Sequence, residues 1–485
     1  MMRTTESSRE ARALPASRFS ARAGRIVIAV SALAVLIVFA HLAQLIVAAY
    51  HSEAGRYDFS SYYAAGAALR HDPHANIYRQ SVLNQASAHA GLLVSPPLPY
   101  TYPPLFAILL SPFTALSFRL LSRAWLAGSF LLWIAVVPIL AHELYYWLRP
   151  VLTFAPNGSD EESPRIQRFA RDPAVWVAAA LASWLVLTSS PAAQTMSTGQ
   201  VNFLVLIPLA LVPWLTRRRN ERGVGIAIAV AAMLKFTPAL LIGYLVLRRR
   251  WEAVIAALAA LAVLAALSAL VVGPQTVLAS IPQALRVGGG DANVPHNQAL
   301  FAPLLNTLHA GPSSGLALAA KLVTGLGALL VAIWLFRPAA SRPSESRYDP
   351  DRENIGYVIA LCAMLLVSPT AWVHHYVWIL PATTLALGLT LRHLLSARAP
   401  GQWRRVVVEF VLVLIIIQGL TLALPATWDS DPTPAVRSFL GLHLWPIMLE
   451  LRPLATLALT GLLCWWYGGG ETTAPRAESV VAPAS

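Results

Sequence analysis

Charged residues are scarce in this sequence. They make up 12% of its 485 residues, against roughly 25% in an ordinary soluble domain. Hydrophobic residues make up 56%. A soluble fold of this size has no interior large enough to bury so much apolar surface, whereas a lipid bilayer requires it. The scarcity of charge therefore argues against a soluble enzyme and indicates an integral membrane protein.

Cysteine is also scarce, and the motifs of several enzyme classes are missing. Cys362 and Cys464 lie far apart in apolar segments, so no disulfide framework is predicted. The sequence has no Walker loop, no Gly-x-Ser-x-Gly element and no His-Glu-x-x-His stretch, which leaves an ATPase, a serine hydrolase or a zinc protease without support. We predict no metal site and no cofactor. The net charge of +13 does not indicate nucleic-acid binding, because the arginines occur in short clusters between apolar runs.

Apolar stretches long enough to cross a bilayer recur along the chain. At roughly 20 residues per crossing they predict an all-α, polytopic transmembrane helical bundle of about 12 spans. We expect a disordered basic cytoplasmic tail over 1–24, a membrane domain over 25–468 and a disordered tail over 469–485. The outer loops are 51–101, with short interfacial helices, and 274–312. The stretches are 26–50, 103–120, 122–148, 174–194, 200–216, 223–248, 252–273, 314–336, 355–395 (two spans, divided at Ser368-Pro369), 406–425 and 446–467.

Arginine clusters set the orientation, since they favour the cytoplasmic side. They place 337–354 and 396–405 inside and the two long loops outside. The clusters Arg217–Arg222 and Arg248–Arg250 are both inside only if 223–248 crosses up and back, turning at Lys235-Phe236-Thr237-Pro238. The region 102–148 then crosses a net single time. We prefer this topology, because broken short helices are tolerated where they line a cavity. The alternative leaves Arg217–Arg222 outside.

The first outer loop carries a candidate base. Asp58 follows the first apolar run by about eight residues, and Tyr62 lies at i+4, on the same helical face. A carboxylate at the membrane boundary can take a proton from an attacking hydroxyl. On spacing alone, a cap of a short interfacial helix is the preferred interpretation of Asp58, with Tyr62 and Tyr63 in an aromatic belt. Tyr102, before Pro103-Pro104 at the start of an apolar run, is a further candidate for substrate contact.

Polar side chains at the ends of later spans are the other candidates. Gln200 and Asn202 open a span, where amides can bind sugar hydroxyls or bond across helices. Lys235 lies within an apolar run, where an ionisable residue is a functional candidate by default. Its ammonium suits a phosphate, although it can also snorkel to the interface or pair with Asp58.

The last candidates lie in the predicted outer turns. Asn297 and the pair His374-His375 can contact a phosphate or a sugar hydroxyl, or can serve as ordinary interfacial polar residues. We predict no zinc site from the histidines, because three or four well-placed ligands are needed. Asp429-Ser430-Asp431 precedes prolines in a short predicted outer loop and is interpreted as a solvated turn rather than a nucleotide-sugar metal site.

Five short elements, in order, resemble glycosyltransferase family 87, whose members are multi-span transferases that use polyprenyl-phosphate sugars. Each element is short; their order over about residues 50–395 and their placement at span ends carry the resemblance. The elements are Tyr57-Asp58-Phe59 with Tyr62-Tyr63-Ala64-Ala65, Tyr102-Pro103-Pro104-Leu105, Gly199-Gln200-Val201-Asn202, Leu234-Lys235-Phe236-Thr237-Pro238, and Ser368-Pro369 with Trp372 and His374-His375.

The resemblance implies an active site on the extracytoplasmic side of the bacterial plasma membrane, with Asp58 at the position of the catalytic base. The expected activity is an inverting transfer of a sugar, such as mannose, from a polyprenyl-phosphate donor to a lipid or glycan acceptor. The expected partners are those substrates and membrane lipids, with no nucleic acid. Alternatives are an arabinofuranosyltransferase of the same type, a glycan polymerase or ligase using polyprenyl pyrophosphate, and a transporter or lipid flippase. A transporter would carry polar residues through several spans, whereas here they gather at span ends.

Overall fold

The described part of the chain is helical throughout and contains no strand. The computed structural model describes residues 57–91, 97–152, 172–290, 297–300, 314–336, 349–368, 370–397, 400–421 and 451–469, with single residues or short pieces at 29–33, 36, 302 and 305. The helices are α1 (Tyr57–His71), α2 (Gln80–His89), α3 (Pro104–Leu110), α4 (Phe118–Leu152), α5 (Pro173–Leu187), α6 (Ser190–Thr198), α7 (Asn202–Arg217), α8 (Glu221–Leu234), α9 (Leu240–Leu247), α10 (Trp251–Val272), α11 (Pro274–Gly290), α12 (Gly315–Phe336), α13 (Pro350–Val367), α14 (Leu380–Ser396), α15 (Pro400–Thr421) and α16 (Leu451–Gly469). Short 3-10 helices occupy Ser111–Ala115, Thr237–Ala239 and Val373–Ile379.

Three helical stretches of the described part are long and apolar enough to cross a membrane. They are α4, α10 and the continuous stretch Val373–Ser396. A fourth crossing results if α5 and α6, which meet at a bend of 56°, form one broken span. The all-helical membrane class is therefore confirmed. The described helices do not confirm the predicted number of about 12 spans.

The region 103–148 contains two apolar stretches but one long helix, in agreement with the preferred topology, in which 102–148 crosses a net single time. Helix α3 has only seven residues and passes directly into the 3-10 helix Ser111–Ala115. At 1.5 Å per residue, α3 extends about 10 Å, too short for a bilayer. Helix α4 continues for 35 residues, to Leu152. The prolines of the Pro103-Pro104 and Ser111-Pro112 pairs flank α3, so the apolar run 103–120 is divided before it reaches a crossing length.

Ion pairs join the arginine clusters at one end of the helices, here called the arginine end. Arg250 Nε lies 2.7 Å from Glu221 Oε2, which ties the loop after α9 to the start of α8. Arg217 makes a bidentate pair with Glu143 near the end of α4, and Arg248 pairs with Glu353 at the start of α13. The clusters 217–222 and 248–250 thus lie at the same end. This is the arrangement preferred from the sequence, with the chain turning back after Lys235.

Close packing between α8 and α10 fixes their relative position. A Cβ atom added to Gly225 would lie 2.1 Å from the carbonyl oxygen of Ala253, so only glycine permits this approach. The starts of the two helices meet at the arginine end, and α8 therefore runs from there to Lys235. Small residues allow such close helix packing within a membrane, where apolar burial supplies little driving force between helices.

Several sequence predictions lie outside the described residues. These are the tail 1–24, most of the first predicted span 26–50, the Asp429-Ser430-Asp431 turn and residues 470–485 of the second tail. Within the first predicted outer loop, α1 and α2 are described, and α1 is largely buried against the rest of the protein.

Candidate active site

A tight turn between α6 and α7 brings Gln200 to Asp58. Gly199 ends α6 with φ +75°, a left-handed conformation that glycine adopts without strain. Trp125 Nε1 donates to the Gly199 carbonyl oxygen at 2.8 Å and holds the turn from α4. Gln200 Nε2 then donates to Asp58 Oδ2 at 2.8 Å. Asp58 lies in the first turn of α1, with its carboxylate hydrogen-bonded to a distant segment of the chain.

Two tyrosines complete the hydrogen bonding of Gln200. The hydroxyl of Tyr62 donates to Gln200 Oε1 at 2.9 Å, and that of Tyr102 donates to the same oxygen at 3.2 Å. The sequence placed Asp58 and Tyr62 on one helical face, and both bond to the same amide. Tyr62 is fully buried. One hydrogen-bonded group, here called the Asp58 group, therefore joins four candidates from three separate segments: Asp58, Tyr62, Tyr102 and Gln200.

The pKa of the Asp58 carboxyl is raised above its ordinary value, because burial disfavours the charged form. The hydrogen bond from Gln200, the positive charge of Lys235 and a hydrogen bond from Thr198 oppose this effect and limit the rise in pKa. A carboxylate with a raised pKa is a stronger base than aspartate in water.

Lys235 lies at the break between α8 and the 3-10 helix Thr237–Ala239, and its ammonium is enclosed on several sides. Nζ donates to Asn202 Oδ1 at 3.0 Å. It lies 5.3 Å from the centre of the Tyr102 ring and 5.1 Å from that of Trp378, both within cation–π range. The charge interacts electrostatically with Asp58, but its hydrogen bond is to Asn202. Lys235 is buried in the protein.

The two histidines lie in the 3-10 helix Val373–Ile379, close enough to Lys235 to interact with its charge. His375 Nδ1 accepts from the backbone N–H of Trp372 at 3.3 Å. A neutral imidazole whose Nδ1 accepts carries its proton on Nε2. Among the described residues, Nε2 of His374 and of His375 has no hydrogen-bond partner, although both atoms are buried.

Trp378 belongs to the same group and was missed from the sequence. Its ring stacks on His375 with centres 4.9 Å apart, and its Nε1 donates to the Asn202 carbonyl oxygen at 3.3 Å. A 3-10 helix has three residues per turn, so positions i and i+3 eclipse. The spacing of three residues from His375 to Trp378 could therefore have shown that the two rings lie together. It indicates this only if residues 373–379 are already known to form a 3-10 helix.

Two other candidates lie apart from the Asp58–Gln200 contact. Tyr63 points to the segment before α4, where its hydroxyl donates to the Leu116 carbonyl oxygen at 2.8 Å. Asn297 Oδ1 accepts from the backbone N–H groups of Ala299 and Ala371, at 2.9 and 3.0 Å. Asn297 thus joins residues 297–300 to the segment that leads into the histidines. No three His, Cys, Asp or Glu side chains within the described ranges are grouped so that they could hold a metal ion.

A carboxylate held by Gln200 and a buried ammonium held by Asn202 are groups that could take a proton and bind a phosphate. The family is shown by comparison: a model of glycosyltransferase family 87 matches residues 100–369, more than half of the chain. The chain belongs to glycosyltransferase family 87, which confirms the resemblance drawn from the five short elements. Asp58 lies before the matched residues, whereas Tyr102, Gln200, Asn202, Lys235 and Asn297 lie within them.

Characterised relatives come from mycobacteria. A polyprenol-phosphate-mannose-dependent alpha-(1-2)-phosphatidylinositol mannoside mannosyltransferase of Mycolicibacterium smegmatis is 28% identical over 61% of this chain and 63% of its own length. The protein of the same name from Mycobacterium tuberculosis is 30% identical over 60% of this chain and 62% of its own length. A pentamannoside mannosyltransferase of Mycolicibacterium smegmatis is 27% identical over 69% of this chain and 71% of its own length. The chain thus spans less than two thirds of the first two relatives.

Proposed function

We propose that the chain is a membrane glycosyltransferase that moves mannose from a polyprenyl-phosphate donor to a lipid or glycan acceptor, with inversion at the anomeric carbon. The observation that supports the proposal is the hydrogen bond from Gln200 Nε2 to Asp58, with Lys235 near enough for its charge to act on the carboxylate. A glycosyl transfer from a phosphate needs a base and a cation, and we assign these roles to Asp58 and Lys235. The names of the relatives support the donor, and they favour a phosphatidylinositol mannoside as acceptor.

Asp58 is the base in this reaction. Its carboxylate takes the proton of an acceptor hydroxyl while the hydroxyl oxygen forms a bond to the anomeric carbon. The bond from that carbon to the donor phosphate breaks, and its electron pair leaves with the polyprenyl phosphate. The raised pKa of Asp58 suits proton removal, because the conjugate base is stronger than aspartate in water.

Lys235 and the histidines serve the leaving group. Negative charge builds up on the departing phosphate, and a fixed cation in a buried site stabilises it. Lys235 supplies that charge. His375, with its proton on Nε2, presents a buried donor that has no partner among the described residues, and a phosphate oxygen would accept from it. Tyr102 lies between the proposed base and the proposed cation. Its hydroxyl donates to Gln200, which holds Asp58, and its ring faces Lys235.

The Asp58 group faces the extracytoplasmic side in this proposal. The arginine clusters lie together at the opposite end of α7 and α8, and positively charged loops favour the cytoplasm. A lipid-phosphate donor suits the outer side, because nucleotide sugars are cytosolic. We assign the protein on these grounds to the bacterial plasma membrane.

The test compares Asp58→Asn with the wild-type protein in purified form, using polyprenyl-phosphate mannose and phosphatidylinositol mannosides. Loss of a general base costs about 10²–10⁴ in rate, so Asp58→Asn should lose at least 100-fold in transfer while still binding donor. Asp72→Asn is the matched control. Asp72 is exposed in the same loop and accepts from the backbone N–H of His74, a bond that asparagine can keep.

Transfer by Asp58→Asn at the wild-type rate would show that Asp58 is not the base. The identity of the sugar is tested in parallel with polyprenyl-phosphate arabinofuranose, and preference for that donor would select the arabinofuranosyltransferase alternative. If the wild-type protein transfers no sugar but moves a labelled lipid across liposomes, the protein is a transporter and the proposal is wrong.

A further inference from the structure

We infer that the segment Gly199-Gln200-Val201-Asn202 is a positioning element that aims the base and the cation and does not itself touch substrate. This inference rests on the proposed function, since it assigns the base to Asp58 and the cation to Lys235. Of the two roles that the sequence left open for these amides, it favours bonding within the protein over binding of sugar hydroxyls. In the structure one amide contacts each charged group, from either side of a single turn.

The chemistry of its partners fixes the orientation of the Gln200 amide. A carboxylate can only accept hydrogen bonds, so the amide nitrogen must face Asp58. The amide oxygen then faces the hydroxyls of Tyr62 and Tyr102, and these two donors occupy both of its lone pairs. Rotation of the amide by 180° would direct its oxygen at the carboxylate. The two tyrosines therefore keep an N–H donor on Asp58.

The partners of the Asn202 amide also fix its orientation, but here the amide oxygen and not the nitrogen faces the charged group. The Lys235 ammonium can only donate, so Asn202 Oδ1 must face it. Nδ2 then donates to the His374 carbonyl oxygen at 3.0 Å and to Thr195 Oγ1 at 3.5 Å. Both N–H donors are thus used. The bond to His374 also holds the 3-10 helix that carries the histidines.

Burial argues against substrate contact by either amide. Gln200 is 4% exposed and Asn202 is 0% exposed. Asn202 bonds to protein with both N–H groups and with its oxygen, and Gln200 Oε1 is fully used. Asp58, by contrast, is partly exposed and can meet a substrate. The accessible group is therefore the base, and the buried group is its support.

The first test measures the pH dependence of kcat/KM for Gln200→Leu and Gln200→Glu. Both changes remove the N–H that stabilises the Asp58 carboxylate, and Gln200→Glu adds a repelling negative charge. The acidic limb of the kcat/KM profile, which reports protonation of Asp58, should move to higher pH. The expected shift is about one unit, the size expected for loss of a hydrogen bond to a charged group. Gln200→Glu should move it further. Gln85→Leu, at an exposed position on α2, is the matched control and should leave the limb in place.

The second test measures donor kinetics for Asn202→Leu. This change frees the Lys235 ammonium and the His374 carbonyl, so the KM for donor should rise at least tenfold. The acidic limb should move less than in the Gln200 variants. If these residues had only a structural role, all variants would lose activity. The acidic limb would then stay in place, and the Gln200 and Asn202 variants would not differ in their effects on the limb and on the KM for donor.

Asp58→Asn is measured alongside to keep the two ideas apart. If Asp58→Asn transfers at the wild-type rate, the proposed function fails and takes this inference with it. If Asp58→Asn is inactive but the limb of folded Gln200→Leu stays at the wild-type position, only the positioning role is wrong. Unchanged donor KM in Asn202→Leu likewise overturns the assignment of Asn202.

Discussion

At the scale of single residues, Lys235 has two separable effects on the proposed reaction. Its charge stabilises the departing phosphate, and it also lowers the pKa of Asp58. Lys235→Met removes both, so kcat/KM should fall about 100-fold, the usual loss when one group stabilising a developing charge is removed. The remaining activity should have its acidic limb at higher pH, because burial then raises the pKa of Asp58 with less opposition.

The measurement is a pH profile of mannosyl transfer with matched lysine variants. Lys321→Met, on α12, supplies the control for loss of a lysine elsewhere in the chain. Lys235→Arg keeps the charge but spreads it over a larger planar head, whereas this buried site holds a compact ammonium bonded to Asn202 Oδ1. It should keep the acidic limb near the wild-type position while lowering kcat. Lys235→Met with wild-type kcat/KM would remove the cation from the mechanism.

Residue types and their order predicted much of the candidate site. An ionisable residue in an apolar run and amides at a span start are unusual enough to mark Lys235, Gln200 and Asn202. Sequence spacing could not show that Tyr63 points to Leu116. Tyr62 and Tyr63 are adjacent, and side chains at i and i+1 of a helix point in different directions. Which of them faces Gln200 depends on how α1 packs.

At the scale of helices, the contact between α8 and α10 is the tightest glycine-mediated approach among the described residues, and it yields a stability prediction. Gly225→Ala would place Cβ 2.1 Å from the Ala253 carbonyl oxygen, so the two helices must separate. Overpacking of this kind costs about 1–3 kcal/mol. We expect a lower Tm for Gly225→Ala in detergent.

Gly128→Ala on α4 is the matched control for this stability test. A Cβ at Gly128 meets nothing within 4 Å, and alanine favours helix over glycine. Its Tm should be unchanged or slightly higher. Because Lys235 ends α8, Gly225→Ala should also lower mannosyl transfer. Equal Tm for Gly225→Ala and wild type would mean that the helices can part without cost.

Helix boundaries were less predictable than the candidate residues. Hydropathy alone merges α3 with the start of α4 into an apparent span, because the intervening segment 111–117 has no charged residue and contains Phe113, Ala115 and Leu116. The prolines at 103, 104 and 112 divide it, yet α4 contains Pro138 and α7 contains Pro208 without ending there. A proline in a membrane helix can be accommodated by neighbouring groups. Its effect therefore depends on packing that the local sequence does not contain.

At the scale of the whole molecule, the two ends of the helices differ in character. One end holds the ion pairs of Arg217, Arg248 and Arg250, and the other holds Asp58 with Lys235. Helices α7 and α8 both run between these ends, in opposite directions. The arginine end should face the cytoplasm if positive loops are retained inside. The Asp58 end must then face outward.

Single cysteines at the two ends test this orientation. The background is Cys362→Ala with Cys464→Ala, which removes both native thiols. Gln85→Cys places a thiol at an exposed position of α2, near the Asp58 end. Arg222→Cys places one at the arginine end, where the side chain is 79% exposed. Its ion pair with Glu252 is solvent-exposed, so its loss should cost little stability.

In intact cells, a membrane-impermeant maleimide should label Gln85→Cys and leave Arg222→Cys unlabelled. After the membrane is permeabilised, both should label, which shows that the second thiol is reactive. The reverse pattern would place Asp58 on the cytoplasmic side, where nucleotide sugars are available, and would remove the chemical reason for a lipid-linked donor. Labelling of both thiols in intact cells would place the loop 217–222 outside, and with it the loop 248–250, because Arg250 is paired with Glu221. The proposed orientation would then be wrong.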